Sequence, residues 1–373
     1  MIMKTHLYSI ILLLLSTPLF SQTEENSVET ALMNYIEGTS YNDVERINKA
    51  FYPEANLYLQ KSDKKLWTVP ISEYSGWYDN KTKGEFNGRV GRIISIDQSD
   101  NIALAKAEIL LPNENLRFID MFILKKEQNK WRILSKTASS ETSNRKGNRI
   151  LFIVSNANYY GDSELPTGNS YSEIVNAYDT FDKAGYTVDF VSPNGGSIPL
   201  AYIDTSDDLQ KNYLYDQDFM YALKSTKSPK DITPENYQAV HYVGGGSAMF
   251  GVPENKEIQK ISMTIYEKQN GIISSVCHGT AGIVNLKTED GKYLVNAKSV
   301  SGYPDSYENS SKAYFKEFPF LIQKTIEERG GTFKFSPRNS SHVEVNGNLI
   351  TGQNYLSSKP VALAIIEALR SRE

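Results

Sequence analysis

A single cysteine, Cys277, stands at the end of the apolar run Ile272-Ile273-Ser274-Ser275-Val276 and is followed at once by His278-Gly279-Thr280-Ala281-Gly282. The thiolate is the reactive form of cysteine, and a helix N-terminus stabilises it. The pattern predicts a buried strand that turns sharply into a helix with the thiol at the bend. Small residues on either side, Ser275 and Gly279, let such a turn close. A strand–nucleophile–helix elbow is a device for covalent catalysis; the alternative is a buried, inert thiol. A chain with one cysteine cannot close an internal disulfide, so the thiol reads as kept for reactivity.

The elements that must hold this thiol follow from the pattern after residue 148. Arg149-Ile150-Leu151-Phe152-Ile153-Val154 is a continuous apolar run, as expected for a strand buried on both faces. Tyr171, Ile174, Val175, Tyr178 and Phe181 then recur at helical spacing. Thr187-Val188-Asp189-Phe190-Val191 predicts a second strand, and Ala239-Val240-His241-Tyr242-Val243 a third that ends in Gly244-Gly245-Gly246-Ser247. A helix from Asn255 to Lys268 leads to the strand ending at Cys277. Alternating strands and helices predict a parallel, three-layer α/β sandwich. Ligands in such sheets bind at the carboxyl ends of the strands. Glu173, the glycine run and Cys277 are expected to meet there. Read alone, Glu173 is an ordinary helix glutamate, although Tyr171 and Ile174 beside it point to burial. His241 reads as a core histidine, and His342, in a late strand, as structural.

The segment before residue 138 reads differently. Leu32, Tyr35 and Ile36, then Val44, Ile47 and Phe51, recur at helical spacing, and strand-like alternation follows at 55–59, 91–96, 102–109, 117–124 and 130–134. This is an α+β pattern, a curved sheet wrapped over helices. The polar stretch 139–148 reads as a linker to the domain at 149–373. At the start, Lys4, the apolar residues 10–15 and the small-residue site Ser21-Gln22 read as a cleaved signal peptide, residues 1–21. No cysteine lies near it, which excludes a lipoprotein. A soluble periplasmic or secreted protein without stable membrane insertion is expected. With 40 Lys+Arg against 44 Asp+Glu, the net charge of -4 argues against a nucleic-acid partner. The 24 tyrosines suit pocket walls.

Two resemblances add to this reading. Tyr35-Ile36-Glu37-Gly38, Phe51-Tyr52-Pro53-Glu54-Ala55, Phe118-Ile119-Asp120 and Trp131-Arg132-Ile133 make residues 23–138 resemble the nuclear-transport-factor-two-like cone, within its SnoaL-like, lumazine-binding group. Some members of that fold use an Asp/His pair. No histidine falls between residues 22 and 240, so a non-catalytic pocket or a dimerisation module is expected, with a homodimer as one outcome.

Pro166-Thr167-Gly168-Asn169-Ser170-Tyr171-Ser172-Glu173, Val188–Gly196, Ser275-Val276-Cys277-His278-Gly279 and Gly347–Asn354 make the rest resemble the ThiJ/PfpI family. That family is flavodoxin-like, within the class I glutamine amidotransferase-like superfamily, and the closest look is to its chaperone/glyoxalase-III type. The resemblance implies that Cys277 is the nucleophile, Glu173 the buried acid that bonds the thiol and shuttles protons, and His278 the histidine after the nucleophile. It implies a third triad member in 301–308, with Glu308 first and Asp305 second. Gly245 and Gly246 match the oxyanion loop, with the His278 N–H adding another donor. Many relatives carry Gly-Gly-His-Gly where this chain has Gly244-Gly245-Gly246-Ser247. No metal and no cofactor are expected. The implied activity is glyoxalase III-like, on methylglyoxal or a related small carbonyl. The alternatives are a cysteine peptidase or amidase with a Cys277–His278–Glu308 triad, and a chaperone or redox sensor.

Overall fold

The computed structural model describes residues 26–61, 63 and 65–372, so the leader lies outside the described residues. The chain divides into two compact units. The first holds residues up to 138 except 88–95 and 107–119, which group with the second.

In the N-terminal domain, α1 (Val28–Ser40) and α2 (Val44–Ala50) start at the side-chain caps Ser27 and Asp43, which accept from the amides of Thr30 and Arg46. The strands β1 (Phe51–Gln60), β2 (Leu66–Pro70), β3 (Val90–Ser99), β4 (Ile102–Leu111), β5 (Leu116–Glu127) and β6 (Lys130–Thr142) form one sheet in the order β2-β1-β6-β5-β4-β3, with α3 (Ile71–Gly76) after β2. Leu32, Tyr35, Ile47, Phe51, Leu57 and Leu124 fill its core. Inside it, the Tyr35 hydroxyl donates to Asp120 Oδ2 at 2.6 Å, and Lys136 Nζ lies 2.9 Å from Asp120 Oδ1. On the sheet, Glu108 is buried between the guanidiniums of Arg92 and Arg117, at 2.7 and 2.5 Å. Two features differ from the sequence reading. Phe51 opens β1 rather than continuing a helix, because the chain leaves α2 directly into extended backbone. Residues 139–142, read as linker, extend β6.

In the C-terminal domain the strands are β7 (Arg149–Ile153), β8 (Asn169–Ser170), β9 (Thr187–Val191), β10 (Leu200–Ala201), β11 (Ala239–Tyr242), β12 (Ile272–Val276), β13 (Ser299–Val300), β14 (Thr332–Phe333), β15 (Val343–Asn346) and β16 (Leu349–Gly352). The helices are α4 (Tyr171–Lys183), α5 (Asp208–Leu214), α6 (Gln217–Lys224), α7 (Lys256–Lys268), α8 (Ile322–Glu328) and α9 (Ser358–Arg370). The main sheet runs β15-β16-β12-β11-β7-β9, parallel except for β15, which pairs antiparallel with β16.

Alternating residues feed two cores. Val240, Tyr242 and Ile273 face the α7 and α8 side, whereas Ala239, Val243 and Ile272 face the α4 and α9 side. Burying each large aliphatic side chain contributes roughly 1.5–3 kcal/mol, which is why apolar runs end up as the inner strands. From β7 the chain goes first to β9 on one side and later to β11 on the other. That reversal opens a crevice at the strands' carboxyl ends.

Candidate active site

β12 delivers Cys277 to that crevice. Its backbone is left-handed, with φ 56°, a conformation non-glycine residues adopt rarely and at a cost. Gly279 makes the bend feasible, because a Cβ there would run into the Tyr242 carbonyl oxygen. The expected helix after the thiol is present and winds as a 3-10 helix, Cys277–Ile283. Gly279 and Gly282 press against Tyr242 of β11, and the tighter winding accommodates this close approach. The expectation of a lowered thiol pKa is corrected accordingly: burial, then the nearby Glu173 carboxyl, pushes the Cys277 thiol up, against a lowering hydrogen bond from the His278 amide. Cys277 keeps 8% of its surface exposed.

Glu173 sits in the first turn of α4 and is 2% exposed. Asn169 fixes the segment before it. Its side chain accepts from the Ser155 amide at 2.8 Å and donates to the carbonyls of Ser155 and Pro199 at 2.8 and 2.9 Å. The Gly244 amide donates to Glu173 Oε2 at 2.9 Å, and Ser170 and Cys277 side chains also hydrogen-bond the carboxyl. Burial outweighs these bonds and pushes Glu173 up to about 8. At neutral pH it is protonated, so it does not repel a thiolate and can donate to it.

On the other side of the sulfur, His278 Nδ1 lies 3.5 Å from Sγ, and Nε2 lies 2.7 Å from Glu308 Oε1. The Tyr314 hydroxyl donates to Glu308 Oε2 at 3.3 Å. The His278 ring stacks on Tyr303 at 4.6 Å. Asp305, the second choice for the third position, does not reach the histidine: it accepts from the amides of Gln323 and Lys324 at 2.9 Å and caps α8.

Gly245 (φ 100°) and Gly246 follow Gly244. No acceptor among the described residues takes their amide hydrogens, so both are available to a developing oxyanion. A Cβ on Gly245 would strike the Gly168 carbonyl, and one on Gly246 would meet the hydroxyls of Tyr160 and Thr167. Tyr160 packs on Tyr314 at 5.3 Å and on Phe318 at 6.0 Å. These aromatic residues lay outside the sequence reading. Their only signal there is the tyrosine count, because the fold gathers them from distant positions.

The remaining histidines sit elsewhere. His241 is fully buried in β11, with Nδ1 2.9 Å from Ser274 Oγ and no partner on Nε2 among the described residues. His342 bridges Ser336 Oγ at 2.8 Å and Glu344 at 2.9 Å. Among the described residues no group of three His, Cys, Asp or Glu side chains could hold a metal ion, and no helix is long and apolar enough to cross a membrane.

The arrangement can deprotonate a thiol, hold an oxyanion and move a proton. Its lineage is fixed by comparison: the DJ-1/PfpI family model matches residues 165–368, more than half of the chain. The chain belongs to the DJ-1/PfpI family. The model described as "Putative lumazine-binding" matches residues 23–139. Among curated proteins, the chain is 30% identical to a protein of Schizosaccharomyces pombe named glutathione-independent glyoxalase, over 60% of this chain and 98% of the relative. It is 28% identical to a Saccharomyces cerevisiae protein of the same name, with the same coverage. Among solved structures, the Francisella tularensis Rapid Encystment Protein superposes with a TM-score of 0.56 at 27% identity, covering 60% of this chain and 99% of that one.

Proposed function

We propose that this protein is an exported, cysteine-dependent enzyme that converts methylglyoxal or a related small reactive carbonyl into the 2-hydroxy acid, without a cofactor. One observation carries the reading: a thiol held between a protonated, buried carboxyl (Glu173) and an imidazole backed by a carboxylate (His278–Glu308). The names of the relatives point to the same chemistry.

In this mechanism His278 Nδ1 takes the thiol proton, and Glu308 holds the opposite nitrogen and stabilises the imidazolium. The thiolate adds to the aldehyde carbon of methylglyoxal, forming a C–S bond. The amides of Gly245 and Gly246 steady the oxygen, and Glu173 protonates it, giving a hemithioacetal. Glu173, now a carboxylate, removes the proton from the former aldehyde carbon and returns it to the adjacent carbon through an enediolate, while the hydroxyl proton on the sulfur-bearing carbon passes to the neighbouring oxygen. The product is a thioester of lactate. Water, deprotonated by the Glu173 carboxylate, cleaves the C–S bond, and the His278 imidazolium returns its proton to the departing sulfur, releasing lactate and restoring both the thiol and the protonated acid. One water is consumed and no redox partner is needed.

The test is a panel of methylglyoxal, glyoxal and aminopeptidase substrates on the wild type, Cys277→Ala and Glu173→Gln. Methylglyoxal consumption by the wild type no faster than by Cys277→Ala overturns the reading. A second reading, peptide or amide hydrolysis, rests on the His278 ring bridging the sulfur and Glu308. It predicts that Glu173→Gln keeps peptidase turnover while Glu308→Gln loses it. The export proposal predicts a mature N-terminus at Gln22, read by sequencing the protein from the medium or periplasm.

A further inference from the structure

A cleft of about 410 Å³ lies in the C-terminal domain, lined by α7 residues Lys256, Gln259, Lys260 and Met263 and by Asn285, Lys287 and Tyr293. None of these is a residue of the thiol site.

The walls are held rigidly. Lys256, Gln259, Lys260 and Met263 are spaced on one face of α7, which Asn255 caps by accepting from the Ile258 amide at 3.0 Å. The opposite wall is a short hairpin, closed by the Lys287–Tyr293 bridge and by the Leu294 amide donating to the Leu286 carbonyl at 2.9 Å. Gln259 and Asn285 tie the two walls together, each donating to the Pro253 carbonyl at 2.7 Å.

The charge on these walls is of one sign. No acidic side chain lines the cleft. Among the described residues Lys256, Lys260 and Lys287 have no carboxylate within ion-pair distance, whereas the nearby Lys268 and Lys292 pair with Glu289 and Asp290. The Tyr293 ring also carries two cations, Lys287 Nζ at 4.8 Å and the Arg329 guanidinium at 4.6 Å from its centroid. Arg329 Nη1 is buried with no hydrogen-bond partner among the described residues. Like charges on one concavity repel. Lys256, Lys260 and Lys287 are exposed at the cleft, so in a chain of net charge -4 they form a local positive site open to a dissolved anion.

We infer that this cleft is a binding site for a small multivalent oxyanion of the organic phosphate class, its charge shared by Lys256, Lys260 and Lys287. A concave cleft of this volume suits a free small molecule better than a flat lipid surface. The inference does not depend on the chemistry assigned to Cys277.

The test is calorimetric titration of the full chain with pyrophosphate at fixed ionic strength. The wild type is compared with the triple variant Lys256→Gln/Lys260→Gln/Lys287→Gln, and with Lys183→Gln, which removes an exposed charge from α4. Saturable binding of one pyrophosphate, weakened at least about tenfold in the triple variant and unchanged in Lys183→Gln, is expected. Circular dichroism of each variant establishes that it is folded. No saturable binding, or equal loss in Lys183→Gln, overturns the site. Binding to phosphatidylglycerol vesicles without binding to pyrophosphate overturns it as well.

Discussion

Glu173 concentrates two opposed demands in one carboxyl. Its burial raises it to about 8, so the folded state holds a proton that the unfolded chain releases above 4.5. Its contribution to stability is therefore full below pH 4.5 and is lost as pH rises towards 8. At about 1.4 kcal/mol per unit, this penalises the fold by several kcal/mol at the upper end. Glu173→Gln is expected to melt at a higher temperature than the wild type at pH 8, with the gap narrowing towards pH 4.5, by differential scanning calorimetry. The same variant loses turnover of methylglyoxal by about 100-fold or more. In the wild type, turnover falls as pH passes about 8, because the ionised acid repels the thiolate and can no longer protonate the adduct. That limb of the profile vanishes in the residual activity of Glu173→Gln.

The elements that present these groups are tested at their tightest contacts. Gly279→Ala drives a Cβ into the Tyr242 carbonyl of β11, a backbone atom that cannot swing aside. Overpacking of this kind costs about 2–3 kcal/mol, and urea unfolding should show a loss of that size together with lost reactivity at Cys277. On the N-terminal sheet, burial pushes Glu108 up, but Arg92 and Arg117 outweigh it and hold it at about 2. This carboxylate stabilises the fold above pH 4.5, and the contribution disappears as pH falls through about 2. Glu108→Gln is expected to be about 3 kcal/mol less stable at pH 7, with the difference shrinking in acid, followed by near-ultraviolet circular dichroism. The parallel strands were legible because burial on both faces writes continuous apolar runs. The short β2, and the antiparallel pairing of β15, were not. Leu66–Pro70 carries too few residues to show a period, and the direction of β15 is set by the hairpin turn at Gly347 rather than by its own residues.

Across the whole molecule one sulfhydryl serves as a counter. Iodoacetamide is expected to add a single adduct per chain by mass spectrometry, with loss of methylglyoxal turnover tracking the modified fraction, and with methylglyoxal slowing both. The sequence located the thiol, its acid and the glycine loop, because each sits on a local pattern or a family stretch. It put Glu308 before Asp305 only through the resemblance, with no local pattern to decide between them. A 3-10 turn over Asp305–Tyr307 sends one carboxylate to the start of α8 and the other to His278. Nor could it assemble the tyrosine wall, whose members are separated by more than 140 residues at Tyr160 and Tyr303. His241, meanwhile, is held at about 3 by burial, and its imidazole stays uncharged throughout the range in which enzymes are assayed. In a nuclear magnetic resonance titration from pH 5 to 9 its ring signals should not drift. They offer a built-in ruler against which the drift of any other ring signal can be read, without any label introduced into the chain.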